Sequence, residues 1–240
     1  MKIGGKVPKR KLQGQLKRAI LAKLKAETIV DRLREVTKHD CIDVKSLRVL
    51  DIGGGGGKDW AGLKCDCIHL TIIDPWLPTR DFDDPADSRI VGTFQSSTSV
   101  LPQDSFDVVV AIDVIEHLSV PDGYLLLYEM VRLSQGFLLI YTPNGFLWQP
   151  PSSNNSLNAH ISGWGINDLK QFGFTDFRGH VGAKFFWGPY SLPKFSFTSK
   201  LFVVANLLGN LLIKFYPKSS LAISALARAE QFQNPVEQAI

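Results

Sequence analysis

Only three cysteines, Cys41, Cys65 and Cys67, occur in 240 residues. That is too few for a disulfide framework, and Cys65-Asp66-Cys67 has no second ligand pair to complete a zinc site, so no metal is expected. A secretory leader is not expected either, because Met1-Lys2-Ile3-Gly4-Gly5-Lys6 carries charge without an apolar core. No apolar run reaches the roughly 20 residues a membrane span needs. The longest, over 201–213, is interrupted by two asparagines and a glycine. No internal repeat is visible. Against these absences stand 45% hydrophobic and 21% charged residues. That balance suits a globular chain with a real core and argues against disorder or a polytopic membrane protein. The length fits one domain with a modest appendage, and a cytoplasmic setting is expected.

The net charge of +4 is unevenly spread. Residues 1–48 hold 14 Lys/Arg against 5 Asp/Glu, whereas the remainder holds 13 against 18. The basic character therefore belongs to the N-terminal segment. There, Leu12, Leu16, Ile20, Leu24, Ile29 and Leu33 recur at helical spacing among Lys, Arg and Glu, which predicts a basic amphipathic helix within 11–38.

From Leu47 the pattern changes to short Val/Ile/Leu runs separated by polar or helical stretches. Strands are predicted over 47–52, 68–73, 89–92, 106–112 and 136–141, with late strands over 174–178 and 183–187. Helices are predicted over 121–133, 166–172 and 219–230. Continuous apolar strands alternating with helices imply an α/β fold with a parallel sheet covered on both faces. Three segments are expected: a basic helical segment 1–46, a catalytic domain 47–198, and a helical tail 199–240 lying on that domain or at a membrane surface.

Asp51-Ile52-Gly53-Gly54-Gly55-Gly56-Gly57 closes the first strand. Glycines there permit a tight turn and close approach to a ligand, but alone they also fit dinucleotide sites and plain turns. No Lys-Ser/Thr follows, so this is not a phosphate-binding P-loop. The G-x-G-x-x-G register of nicotinamide enzymes fails because Lys58 stands where its last glycine belongs. Asp74 ends the second strand, where such folds hold a ribose diol. Asp51, ahead of the glycines, suits a ligand with positive charge better than a pyrophosphate.

Val49-Leu50-Asp51-Ile52-Gly53-x-Gly55-x-Gly57, then Asp74, then Ser105-Phe106-Asp107-Val108-Val109 leading into Val114-Ile115-Glu116-His117-Leu118, resembles the class I S-adenosylmethionine-dependent methyltransferases over about 47–180. The resemblance is to their small-molecule branch. It implies a Rossmann-like, seven-stranded, mostly parallel sheet with an antiparallel last hairpin, and S-adenosyl-L-methionine as cofactor. It also implies that Asp51, Gly53, Gly55 and Gly57 line the methionine part, that Asp74 holds the ribose, and that Ile112 and Asp113 lie near the sulfonium. Many relatives carry an acid after the third strand to read adenine. Here the stretch is Gly92-Thr93-Phe94-Gln95, so Thr93 or Gln95 would supply that contact and Phe94 would stack.

His117 follows Glu116 and is a candidate for a direct chemical role; the plainer alternative is a helix cap and a backbone-satisfied ring. His160, in His160-Ile161-Ser162-Gly163-Trp164, is the leading candidate for a general base toward a hydroxyl. A similar H-x-S-x-W stretch occurs in relatives among glycan and glycolipid biosynthesis enzymes. Tyr141, Asn144 and Trp164, with His160, are expected at the acceptor, since ligands gather at the carboxyl ends of parallel strands. The polar segment 150–158 is expected as a flap over it. The expected reaction is methyl transfer to a hydroxyl of a small or lipid-linked glycan acceptor. The alternatives are an RNA methyltransferase or a non-catalytic cofactor-binding module. Nucleic acid is disfavoured, because no Asn/Asp-Pro-Pro-aromatic motif or Pro-Cys nucleophile is present and the catalytic part is net acidic. The basic helix and apolar run suit contact with an anionic membrane surface.

Overall fold

The computed structural model describes residue 32, residues 46–60, 63, 67–76, 84–152, 155–183, 213 and 216–232. The chain divides into two compact units, 1–42 and 43–240. In the first, only helical Arg32 lies among the described residues, so the expected basic helix otherwise falls outside them. The run 201–213 does too, apart from Ile213.

The second unit is built on seven strands: β1 (Leu47–Ile52), β2 (Ile68–Asp74), β3 (Ser88–Val91), β4 (Phe106–Ile112), β5 (Ser134–Pro143), β6 (Asp176–Ala183) and β7 (Ser220–Arg228). They form one sheet in the order β3-β2-β1-β4-β5-β7-β6. β1 to β5 run parallel, and β7 lies antiparallel between β5 and β6. The expected seven-stranded, mostly parallel sheet is therefore present. The β1 and β4 side chains are buried almost throughout, on both faces, as the continuous apolar runs require.

Among the described residues, α1 (Phe94–Thr98), α2 (Val120–Leu133) and α3 (Ile166–Phe172) accompany the sheet. Ser119 starts α2, its Oγ accepting the Asp122 N–H at 3.2 Å. Leu126, Leu127, Met130 and Leu133 of α2 are fully buried in the main core with Val109, Leu138 and Ile140. Arg132 ties the end of α2 to the α1 side through the carbonyls of Thr98 (2.7 Å) and Leu101 (2.9 Å).

One expectation is corrected. The stretch 219–230, read as a helix of the tail, is the strand β7 and belongs to the sheet. Its alanines favour helix intrinsically, but its backbone pairs with β5 on one side and β6 on the other, which holds it as a strand. Cys67, just ahead of β2, is disulfide-bonded. Among the described residues, no helix is long and apolar enough to cross a membrane.

Candidate active site

The strand order reverses between β1 and β4, and ligands in such sheets bind beyond the carboxyl ends at that point. A cleft of about 430 Å³ opens there. One side is formed by Gly53, Gly55, Asp74 and Trp76, with Gly92, Thr93, Phe94 and Gln95 beside them. Asp113, Val114, His117 and Leu118, from the turn after β4, form another side, and Asn155, Leu157 and Asn158 complete the wall.

The glycine loop is held from beneath and from the side. Asp51 is 2% exposed and accepts the Trp60 indole N–H at 2.6 Å. A Cβ on Gly54 would lie 2.4 Å from the Asp51 carboxylate, so the buried acid and the small residue require each other. Gly55 has φ +53, and its open side meets nothing nearer than Asp74 Oδ2 at 4.0 Å. Its N–H donates to that oxygen at 2.8 Å, while Asp74 Oδ1 accepts the Trp76 N–H at 2.7 Å. Arg89, paired with Asp84 at 2.8 Å, donates to the Gly55 carbonyl at 2.7 Å. The cradle that results is bare backbone edged by a fixed carboxylate. This fits the cofactor read from the sequence: a nucleoside sulfonium needs close backbone approach, and each Asp74 oxygen keeps a lone pair for a hydroxyl.

After β4 the chain turns through Asp113, whose φ is +51 and whose N–H donates to the Tyr141 carbonyl at 2.8 Å. Ile115–His117 is one 3-10 turn. The loop carrying His160 is fastened to it by three bonds: Ile161 N–H and Ser162 N–H to the Glu116 carbonyl at 2.9 and 3.1 Å, and Ser162 Oγ to the Ile115 carbonyl at 3.1 Å. His117 and His160 consequently meet edge to face, with ring centroids 4.8 Å apart. His117 Nδ1 lies 2.9 Å from the Ala159 carbonyl and His160 Nδ1 lies 2.6 Å from the Leu147 carbonyl. A carbonyl only accepts, so each Nδ1 carries a proton, and Nε2 is the nitrogen left for another partner. Burial pushes the His160 imidazole below its ordinary pKa, with His117 adding to this and the Leu147 carbonyl and Asp113 opposing it. Glu116 is 2% exposed, and its Oε2 accepts the Thr142 hydroxyl at 3.0 Å.

Of the residues expected to bind cofactor, Gly53, Gly55, Asp74, Thr93, Phe94 and Asp113 are on the cleft wall. Asp51, Gly57 and Ile112 are not. Asp51 supports the loop, Gly57 turns toward Pro85, and Ile112 is buried at the end of β4. Thr93 caps α1, and Phe94 is 6% exposed, so both also serve the fold.

Of the acceptor candidates, His117 lines the cleft with His160 against it, and three others lie off its wall. Tyr141 is buried in β5 and stacked on His180, and that burial, with the Asp113 and Glu116 carboxylates, raises its hydroxyl well above the usual pKa. Asn144 Nδ2 donates to the carbonyls of Lys218 and Ser220 at 3.0 and 3.1 Å. Trp164 is 2% exposed, with its indole N–H on Ser162 Oγ at 2.8 Å. All three lie in the β5–β7 seam or the core because strand-end position alone does not say which way a side chain points. Trp76, Leu118, Asn155, Leu157 and Asn158 were not foreseen singly, although the last three lie in the segment read as a flap.

Residues 11–180 match the model of a family described as "Methyltransferase domain". No curated protein matches the sequence. Among solved structures, a protein provisionally named a sarcosine dimethylglycine methyltransferase, from Galdieria sulphuraria, is 12% identical with a TM-score of 0.52, over 85% of this chain and 84% of that one. A SAM-dependent methyltransferase from Archaeoglobus fulgidus is 18% identical with a TM-score of 0.49, over 88% and 99%. The CurJ carbon methyltransferase is 16% identical with a TM-score of 0.49, over 84% of this chain but only 53% of its own.

Proposed function

Since the chain belongs to the methyltransferase-domain family, with residues 11–180 matching its model, we propose that it methylates a hydroxyl group of a small or carrier-linked acceptor, a glycan or glycolipid. The cofactor is S-adenosyl-L-methionine, which when bound supplies a methyl group already activated on a sulfonium. Gly53 and Gly55 leave the backbone bare for its amino-acid part, and Asp74 offers its carboxylate to the ribose hydroxyls. Thr93, Phe94 and Gln95 frame the adenine position without an acid. Asp113 places negative charge at the end of β4, favourable to the sulfonium.

The observation that carries the reading is the joining of two chemistries in one cleft. The glycine loop with Asp74 lines it, and so does His117, backed by His160. Trp76, Leu118 and Leu157 add apolar surface and Asn155 and Asn158 add amides. That mixture suits a sugar, whose C–H faces pack on apolar groups while its hydroxyls meet amides and imidazoles. The protein's contribution is to align the hydroxyl with the methyl group. A lipid-linked acceptor also suits peripheral membrane contact by the basic segment 1–46, with the sheet from β1 to β7 as the core of the cofactor-binding body.

A methyl-label screen against lipid-linked sugars, free sugars, small phenols and RNA tests the acceptor. Label entering only the sugar-bearing acceptors is the expected result. Label entering RNA alone would favour the alternative enzyme class, and label in nothing, with cofactor bound, would favour a non-catalytic module. Flotation with anionic liposomes tests the membrane contact, and a full-length chain that stays unbound would remove it.

A further inference from the structure

We propose that Glu116, His117 and His160 form a binding site for a divalent first-row transition-metal ion at the acceptor side of the cleft. Among the described residues, these three bring one ligand atom each to within 4.8 Å of one another. Atoms about 2.1 Å from a shared ion lie at most about 4.2 Å apart, so small rotamer adjustments close the set around an ion.

The surroundings are those of a metal centre rather than a chance meeting of polar groups. Both Nδ1 atoms are fixed on backbone carbonyls, His117 on Ala159 at 2.9 Å and His160 on Leu147 at 2.6 Å. Metal-binding histidines are commonly held in this way, with the second nitrogen donating to a carbonyl so that the other presents its lone pair. The carboxylate is held as well, because Thr142 donates its hydroxyl to Glu116 Oε2 at 3.0 Å. The loop bearing His160 is fastened to the turn bearing the other two through the Glu116 carbonyl, which accepts the Ile161 and Ser162 N–H groups. Two imidazole nitrogens and one carboxylate oxygen suit manganese, iron, cobalt or zinc, and suit magnesium or calcium poorly because those prefer all-oxygen sets. Three protein ligands also leave coordination positions open.

This inference rests on the hydroxyl-methylation reading for its purpose. An ion there would hold and polarise the acceptor hydroxyl as a Lewis acid. Both Nε2 lone pairs would then be taken by the ion, so His160 would be a ligand and not a free base, and the hydroxyl proton would pass to solvent water.

Cobalt(II) is the probe, titrated into the full, chelator-stripped chain and followed by its visible absorption. Titration of S-adenosylhomocysteine into each sample reports the cofactor side separately. One saturable equivalent of cobalt is expected, with affinity falling at least about tenfold in His117→Ala and in His160→Ala. Thr142→Val, which removes only the carboxylate's support, is expected to weaken binding by about tenfold. Retained S-adenosylhomocysteine affinity shows that each variant is folded. No saturable cobalt binding by the wild-type chain, or wild-type affinity in all three variants, overturns the site. Cobalt bound without S-adenosylhomocysteine would instead leave the site standing and remove the methyltransferase reading.

Discussion

At the scale of single residues, the glycine loop separates a motif's letters from the physical demands behind them. Gly55 needs a positive φ and faces open space, whereas Gly54 has an ordinary φ and no space at all. Gly54→Ala forces its Cβ against the Asp51 carboxylate and Ile72, and overpacking of this kind costs about 1–3 kcal/mol. Gly55→Ala carries only left-handed strain, about 1–2 kcal/mol, and places a methyl group in the cradle. Thermal denaturation is expected to rank Gly54→Ala as the less stable, while calorimetry with S-adenosylhomocysteine shows weakened binding in both. Asp74→Asn has one oxygen for the two N–H groups that Asp74 now serves, from Gly55 and Trp76. Its cofactor affinity is expected to fall about tenfold or more, given the 1.5–3 kcal/mol typical of hydrogen bonds to a charged group. Asp74 was legible in the sequence because a strand tip is a fixed address. Gly54 was not, because its requirement comes from a side chain three positions back whose direction only the fold sets. The pairing of His117 with His160 was illegible for the same reason, being made by a loop 43 positions further along the chain.

Among the elements, β1 to β5 were readable because buried parallel strands are continuous Val/Ile/Leu runs, and their observed limits differ from the expected ones by at most two residues. β7 was not readable. Ser-Leu-Ala-Ile-Ser-Ala-Leu-Ala-Arg has a helix former's composition, and only its place between β5 and β6 makes it a strand. Asn144 pins the approach to that strand through the Lys218 and Ser220 carbonyls. Asn144→Ala is therefore expected to lower stability by about 1–3 kcal/mol, the cost of stranding buried polar partners, with unchanged acceptor KM. A raised KM at full stability would instead restore it to the acceptor site. β1 and β4 are also joined at their amino ends, where Arg48 Nη2 meets Asp107 Oδ1 at 3.1 Å. Burial would push the Asp107 carboxyl up, but hydrogen bonds from Arg48 and Gln135 hold it below its usual value. Its folded pKa being depressed, the contribution is fully present above the unfolded value of about 3.9 and is lost as pH falls through the folded value. Asp107→Asn is expected to flatten stability against pH in that acidic window and to leave it unchanged in shape near neutrality.

For the whole molecule, the charge split and the cleft describe different parts of the chain. The basic excess lies in residues 1–48 and the cleft lies in the net acidic remainder, so overall charge says little about what the cleft binds. The family match spans 11–180, yet the sheet is completed by β7 at 220–228, so the folded body extends past the matched stretch. The central claim is that this cleft takes S-adenosylmethionine between the glycine loop and Asp113. Isothermal titration of the full chain with S-adenosylmethionine, S-adenosylhomocysteine and NAD tests it most directly. One saturable site for the first two, weakened in Asp74→Asn, and none for NAD is the result this structure predicts. Binding of NAD alone, or sulfonium binding untouched by Asp74→Asn, would contradict it.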